Sequence, residues 1–297
     1  MRETLGQRLR RAAVLAPPYA WLLAFFALPL LVVLGISLSH PLKGIPPYAP
    51  ILDWSGPRFT GGAHNYALLL SDSYYLEGFL GAGRIALAAM LICLALGYPM
   101  ALAIARAAPA RRAVLLLLLM VPFWTSFLIR IYAWIALLNS NGLINELLLG
   151  LGLIEAPLEL LYTDFAVRLG IVYAYLPFMV LPIFAVLERQ DPALLEAAAD
   201  LGAPPWRAFL SVMLPLSLPG VYAGMLLVFV PALGEFVIPE LLGGSDFLMI
   251  GRLLWTETFQ NRDWPLAAAV TILLLLIVVL PVLAIQKLAA AREEAGA

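Results

Sequence analysis

Six stretches of the chain, 18–38, 80–105, 113–137, 166–187, 217–241 and 265–286, are about twenty residues or longer and almost wholly apolar. A bilayer core of about 30 Å takes about 20 apolar helical residues per crossing, so each stretch can span a membrane. Hydrophobic residues make up 63% of the chain and charged residues 12%, far more apolar surface than one soluble core could bury. The expectation is an all-α membrane protein with six transmembrane helices, a single domain running over residues 1–297. The basic start and the first apolar run resemble a secretory signal in outline. That run is too long and has no clear small-residue cleavage site, which predicts an uncleaved first helix.

The basic residues set the predicted orientation. Arg2, Arg8, Arg10 and Arg11 precede the first span; Arg106, Arg111 and Arg112 join the second to the third; Arg189 and Arg207 lie between the fourth and fifth; Lys287 and Arg292 follow the sixth. On the other side stand only Lys43, Arg58, Arg252 and Arg262. Both termini are therefore expected in the cytoplasm. Acidic residues gather on the outer side, where a negative face would concentrate cations. The single cysteine, Cys93, excludes an internal disulfide, and the two histidines, His40 and His64, fall in one outer segment. Metal binding and histidine catalysis have no support. No phosphate loop or nucleotide fingerprint occurs, so ATP-driven transport would need an ATPase on another chain.

Residues 188–216 are too many for a bare connection between neighbouring helices. Within them, "EAAADLGAPPWRAFLSVMLPL" (196–216) carries two acids, an arginine and three of the prolines. Asp191 is a good helix N-cap, Pro192 suits the first helical position, and Gly202 can take a left-handed conformation just past the end. Leu194, Leu195, Ala198 and Leu201 fall on one face at helical spacing, with Glu196 and Asp200 at i, i+4 on another. Pro204 and Pro205 open a second short helix, "WRAFLSVML", which Pro215 is expected to end. A helix lying on the membrane surface usually carries Lys and Arg on its polar face; this one favours docking to a basic groove of a cytosolic protein.

The Glu196–Ala197–Ala198 triplet, Gly202, and the Leu214–Pro215 pair, between two late spans, resemble the cytoplasmic coupling loop of binding-protein-dependent ABC importer permeases. The resemblance implies that Glu196, Ala197, Ala198, Asp200 and Gly202 form a coupling helix seated in a cleft of an ATP-hydrolysing subunit. The segments 121–138, 170–183, 234–244 and 249–270 are similar to the polyamine branch, putrescine type. The partners implied are a second homologous permease chain, two copies of a cytosolic ATPase, an extracellular or periplasmic polyamine-binding protein and membrane lipid, with no nucleic acid. No cofactor is expected in this chain; ATP and Mg belong to the ATPase, and the location implied is the bacterial cytoplasmic (inner) membrane.

A flexible di- or triamine needs carboxylates, carbonyls or aromatic faces once its water is stripped away. Glu235, between Pro231 and Pro239 in the fifth span, and Glu240 supply carboxylates; Trp124, Tyr132, Tyr173 and Tyr175 supply aromatic faces. These six are the expected substrate path. For the aromatics, interfacial anchoring is the alternative, and for Glu235 an ion pair with Arg130. Arg130 itself suits a structural pair or an outward-snorkelling residue. The outer segments 40–54 and the neighbourhood of Asp246 are candidates for docking a soluble partner. Other readings are a permease for an opine, iron or an amino-acid-like substrate, an ion-coupled secondary transporter, or a scaffold or intramembrane enzyme. Neither inverted repeats nor a catalytic motif such as HExxH supports the last three classes.

Overall fold

The computed structural model describes residues 5–53, 58–244 and 247–296. Asp246 and Arg2 lie outside the described residues. The chain opens with α1 (Leu5–Leu22), passes through a π turn at Leu23–Ala27 and continues as α2 (Leu28–Ser37). After an intervening segment come α3 (His64–Ser71) and the long α4 (Ser73–Arg106). Next are α5 (Pro109–Met120), α6 (Phe127–Leu138), α7 (Leu143–Gly150) and α8 (Asp164–Leu187). The short α9 (Ala193–Asp200) and α10 (Pro205–Ala208) lead through a second π turn, Phe209–Met213, into α11 (Leu214–Leu233). Finally α12 (Val237–Leu242) and α13 (Ile250–Trp255) precede a third π turn, Thr256–Gln260, and α14 (Trp264–Gly296). Apart from these helical elements, Leu52–Asp53 pairs antiparallel with Arg58–Phe59.

Among the described residues, five helical stretches are long and apolar enough to cross a membrane: Ala13–Ser37, Ser73–Arg106, Phe127–Gly150, Asp164–Leu187 and Pro205–Leu233. In the last helix the apolar part is shorter, Trp264–Leu280. Two expected spans differ in shape. The third, 113–137, is interrupted: α5 stops at Met120, a 3₁₀ turn covers Val121–Trp124, and α6 begins after Ser126. Pro122 has no N–H to continue the α5 ladder, and Thr125, extended at φ −93° and ψ 152°, breaks the run. The fifth, 217–241, ends at Leu233, with Gly234 beyond it.

Pro215 does not end the second short helix of the connecting loop. It stands in the first turn of α11, and the chain stays helical from Pro205 to Leu233. In a regular α-helix a proline ring strikes the carbonyl four residues back and leaves it without a donor. The preceding π turn widens the backbone there, with the Leu214 N–H bonded to Phe209 O, five residues away. The same device precedes Pro29: its neighbour Leu28 donates to Leu23 O across the π turn at Leu23–Ala27. Each proline follows its π turn by two residues.

The chain packs as two compact units, one reaching to Leu76 and resuming at Leu254, the other covering Glu77–Leu253. In the first, α2 lies against α14. Buried Asn65 donates through Nδ2 to Ser37 O and Ser39 O, both at 2.9 Å, fixing the end of α2 to α3. Buried Glu257 accepts from Tyr75 Oη at 2.8 Å and Asn261 Nδ2 at 2.9 Å, which satisfies a carboxylate that would otherwise be costly to bury.

In the second unit α8 is the central helix, packed on α11 and α12. Small residues bring the backbones together, as they do between helices in lipid. A Cβ on Gly220 would lie 2.7 Å from Pro182 O, and one on Gly224 would lie 2.8 Å from Met179 Sδ and 3.0 Å from Met179 O. Met179 also lies where a Cβ on Gly97 of α4 would be, 2.9 Å from its Cγ. Gly224→Val should therefore overpack this junction and destabilise the protein by about 1–3 kcal/mol, read as a lower thermal midpoint of the detergent-solubilised protein. An unchanged midpoint would show that Met179 yields freely.

Candidate coupling surface and translocation path

The loop after α8 is built from local signals. Asp191 Oδ1 accepts the Ala193 N–H, the first amide of α9, at 2.9 Å, from one residue before the N-cap, which is Pro192 and not Asp191. At the other end the Gly202 N–H bonds Ala199 O at 2.8 Å and the Ala203 N–H bonds Ala198 O at 3.0 Å, with Gly202 at φ 80°. This crossed pair is a Schellman motif, which needs a left-handed residue at the position of Gly202. Pro204, extended at φ −65° and ψ 156°, then turns the chain into α10.

Two further contacts seat the loop on the helices. Arg112 Nη1 meets Glu188 Oε1 at 2.6 Å, while its Nη2 donates to Ala105 O at 2.8 Å. One guanidinium thus ties the end of α4 and the start of α5 to the end of α8. Gln190 Nε2 donates to Met213 O at 3.4 Å. A cavity of about 370 Å³ lies beneath, bounded by Arg106, Glu188, Pro192, Leu195 and Met213 among others.

The expected apolar face of α9 divides between two surroundings. Leu195 and Ala198 are half-buried against the body, whereas Leu194, Ala197 and Leu201 are exposed together with Glu196 and Asp200. Leu201 is 89% exposed, and Leu194, Trp206 and Leu210 are also exposed.

The other site lies where α11 stops. Between Leu233 and Val237 the backbone leaves the helix, and Glu235 sits in that break, 9% exposed. Its Oε1 accepts the Val237 N–H at 3.0 Å and the Ile238 N–H at 3.4 Å; its Oε2 accepts the Tyr175 hydroxyl of α8 at 2.5 Å. The carboxylate therefore caps α12, whose first amides have no partner within the helix. Gly251 of α13 closes on the same break, for a Cβ there would lie 2.5 Å from Glu235 O and 2.6 Å from Gly234 O.

The six expected path residues do not form one cluster. Tyr175 and Glu235 are bonded directly. Tyr173 is edge-on to Trp134 at 5.4 Å. Glu240 forms an ion pair with Arg252 Nε at 2.7 Å, and Arg252 Nη1 also donates to Gly244 O at 2.9 Å. Trp124, 75% exposed, and Tyr132 stand on the surface of the chain. Arg130 forms no ion pair among the described residues: its guanidinium lies over Phe123 at 5.1 Å and Phe127 at 5.5 Å. The residues that sequence reasoning passed over are Arg112, Arg252 and Gly251. Arg112 and Arg252 are recognisable beforehand only as basic residues beside a span end and beside a glycine-rich turn.

The geometry has parallels among known proteins. Residues 12–292 match the model of binding-protein-dependent transport system inner membrane components. The chain belongs to this family. It is 41% identical over 257 residues to the spermidine/putrescine transport system permease protein PotB of Escherichia coli (strain K12), covering 86% of this chain and 90% of that one. The PotB protein of Haemophilus influenzae is 38% identical, with 86% and 85% covered. The molybdenum transport system permease protein ModB of Mycobacterium bovis is 32% identical, with 82% and 86% covered. Among solved structures, a bacterial ABC transporter that imports the acidic polysaccharide alginate superposes with a TM-score of 0.70 at 18% identity, covering 97% of this chain and 99% of that one. A second alginate transporter structure, in complex with a pentasaccharide-bound periplasmic protein, gives 0.64 at 20% identity. The family member described here is thus a multi-pass membrane permease of an ABC importer, with the fold of that class.

Proposed function

We propose that this permease imports polyamines, putrescine or spermidine, across the bacterial cytoplasmic membrane. The observation that carries this reading is the 38–42% identity, over 86% of the chain, to permeases of spermidine/putrescine transport systems. The whole of 1–297 acts as one permease domain with six crossings, both termini and α9 facing the cytoplasm in keeping with the placement of the basic residues. The chain itself is not an enzyme. A second permease chain completes the path, two ATPase copies binding ATP and Mg drive it, and a polyamine-binding protein delivers cargo from outside.

In this reading Glu196, Ala197, Ala198, Asp200 and Gly202 present the surface that the ATPase grips. Closure of the ATPase pushes on α9, and the continuous helix from Pro205 to Leu233 carries the displacement towards the break at Glu235. The cargo passes the carboxylate and aromatic groups of Glu235, Tyr173 and Tyr175, while Trp124 and Tyr132 face the partner permease and Glu240 holds the outer rim with Arg252.

The test is uptake by proteoliposomes holding the complete complex. Labelled putrescine or spermidine should accumulate only when both ATP and the binding protein are supplied. Accumulation of molybdate but of neither amine would replace this cargo with an anion.

A further inference from the structure

We infer that the two oxygens of the Glu235 carboxylate have separate duties: Oε1 is a fixed cap on α12, and Oε2 is an exchangeable acceptor on which an ammonium N–H of the cargo replaces the Tyr175 hydroxyl. The inference rests on the cationic cargo proposed above and adds to it the atom that receives the charge.

The asymmetry is in the partners. Oε1 is held by two backbone amides, those of Val237 and Ile238. They cannot withdraw without unwinding the first turn of α12. Oε2 is held by one side-chain hydroxyl from a different helix, which leaves by rotation of the Tyr175 side chain alone. Tyr175 is half-buried while Glu235 is buried, so the tyrosine is the more accessible of the two residues. A carboxylate stripped of partners in such a place is costly. Direct handover from O–H to N–H keeps it bonded throughout, because an ammonium donor takes up the same acceptor at about 2.7–2.9 Å.

An aromatic run leads away from this carboxylate, and its far end is already taken by a cation. Tyr175 neighbours Phe178 at 6.1 Å between ring centres, and Phe178 is edge-on to Phe123 at 5.4 Å. Over the face of Phe123, and of Phe127 next to it, lies the Arg130 guanidinium. Aromatic faces attract cations without fixing them in one geometry. The carboxylate and the aromatic run together offer an ammonium a bonded stop and a sliding surface, and the Tyr175 hydroxyl returns to clear the stop once the cargo moves on.

Tyr175→Phe and Glu235→Gln separate the two duties in the assembled complex. Amide hydrogen exchange over 237–242, measured without cargo, reports the cap; uptake kinetics in proteoliposomes report the exchangeable oxygen. Tyr175→Phe keeps the cap and removes the competitor, so exchange should stay within about twofold of wild type while half-saturating putrescine and maximal rate both fall, by up to about tenfold for one charge-assisted bond. Glu235→Gln keeps an oxygen for the amides and removes the charge: protection should again persist, and uptake should drop about tenfold or more. A half-saturation in Tyr175→Phe that is unchanged or higher, or wild-type uptake by Glu235→Gln, overturns the division of duties. Should the glutamine variant fail to assemble, Tyr175→Phe decides alone. Failure of the wild-type complex to carry either amine is seen before any variant is compared; it removes the cargo assignment and the exchange with it.

Discussion

Gly202→Val should abolish most transport, lowering uptake by about tenfold or more, while the protein still reaches the membrane in normal amount. Gly202 holds φ 80°, and nothing lies within 4 Å of where its Cβ would be. The cost of the substitution is therefore in the backbone itself and not in a collision. A left-handed conformation costs an ordinary residue about 1–2 kcal/mol, and a β-branched one is a genuine outlier there. If the turn relaxes, the crossed bonds to Ala198 O and Ala199 O are lost, and Leu201 and Trp206 leave the positions that the capped helix gives them. A shift of that size is a factor of about 5–30 in a two-state equilibrium, falling on the one surface assigned to the ATPase. Gly202→Asn is the matched control, since asparagine enters the left-handed region readily, and it should retain most uptake. Equal uptake by the valine and asparagine variants would dissociate the turn from coupling.

The loop that carries Gly202 was legible because its signals are local. Asp191, Gly202 and the Pro204–Pro205 pair each act on backbone within a few residues, and Pro192 stands one position earlier than expected, as the N-cap of α9. The apolar stripe was less well read, because spacing alone cannot say which side of an eight-residue helix faces the body: Leu195 and Ala198 turn inward, Leu194 and Leu201 outward. The break in the fifth span was hidden by composition. "PALGEFVIPELL" is apolar enough to be read as one helix, and only Gly234 signals an end. Glu235 looks there like an isolated charge in a span, whereas its carboxylate replaces the missing helical acceptors for Val237 and Ile238. Its true neighbour, Tyr175, is sixty residues away. No local rule could select Tyr175 over Arg130, the partner that charge alone suggests. Pro29 and Pro215 make the same point in reverse. Only Pro215 is expected to end a helix, and a π turn before it, as before Pro29, lets the helix continue.

Gly251→Val should cost most of the assembled complex, because what stands in the way is main chain. A Cβ at Gly251 would lie 2.5 Å from Glu235 O, 2.6 Å from Gly234 O and 2.9 Å from Glu235 C. A flexible side chain could rotate aside, but these carbonyls belong to the break between α11 and α12 and are fixed from three directions: α11 ends one residue before, Glu235 is bonded to the amides of α12, and its Oε2 is bonded to Tyr175 on α8. Room for the valine must come from moving α13 away or from displacing the break. The first option also strains Arg252, the next residue, which holds Glu240 at 2.7 Å and Gly244 O at 2.9 Å. Overpacking of this kind typically costs about 1–3 kcal/mol, occasionally more; at an immobile backbone contact the upper part of that range is expected. Yield of monodisperse complex should fall about tenfold and the thermal midpoint of what remains should drop, with Gly251→Ala intermediate in both. A cap at Glu235 that depends on this contact adds a second readout: amide exchange over 237–242 should rise in Gly251→Ala, even though neither Glu235 nor Tyr175 has been altered. Wild-type yield, midpoint and protection in the valine variant would mean that α13 can move freely against the break, and the close approach at Gly251 would then hold nothing in place.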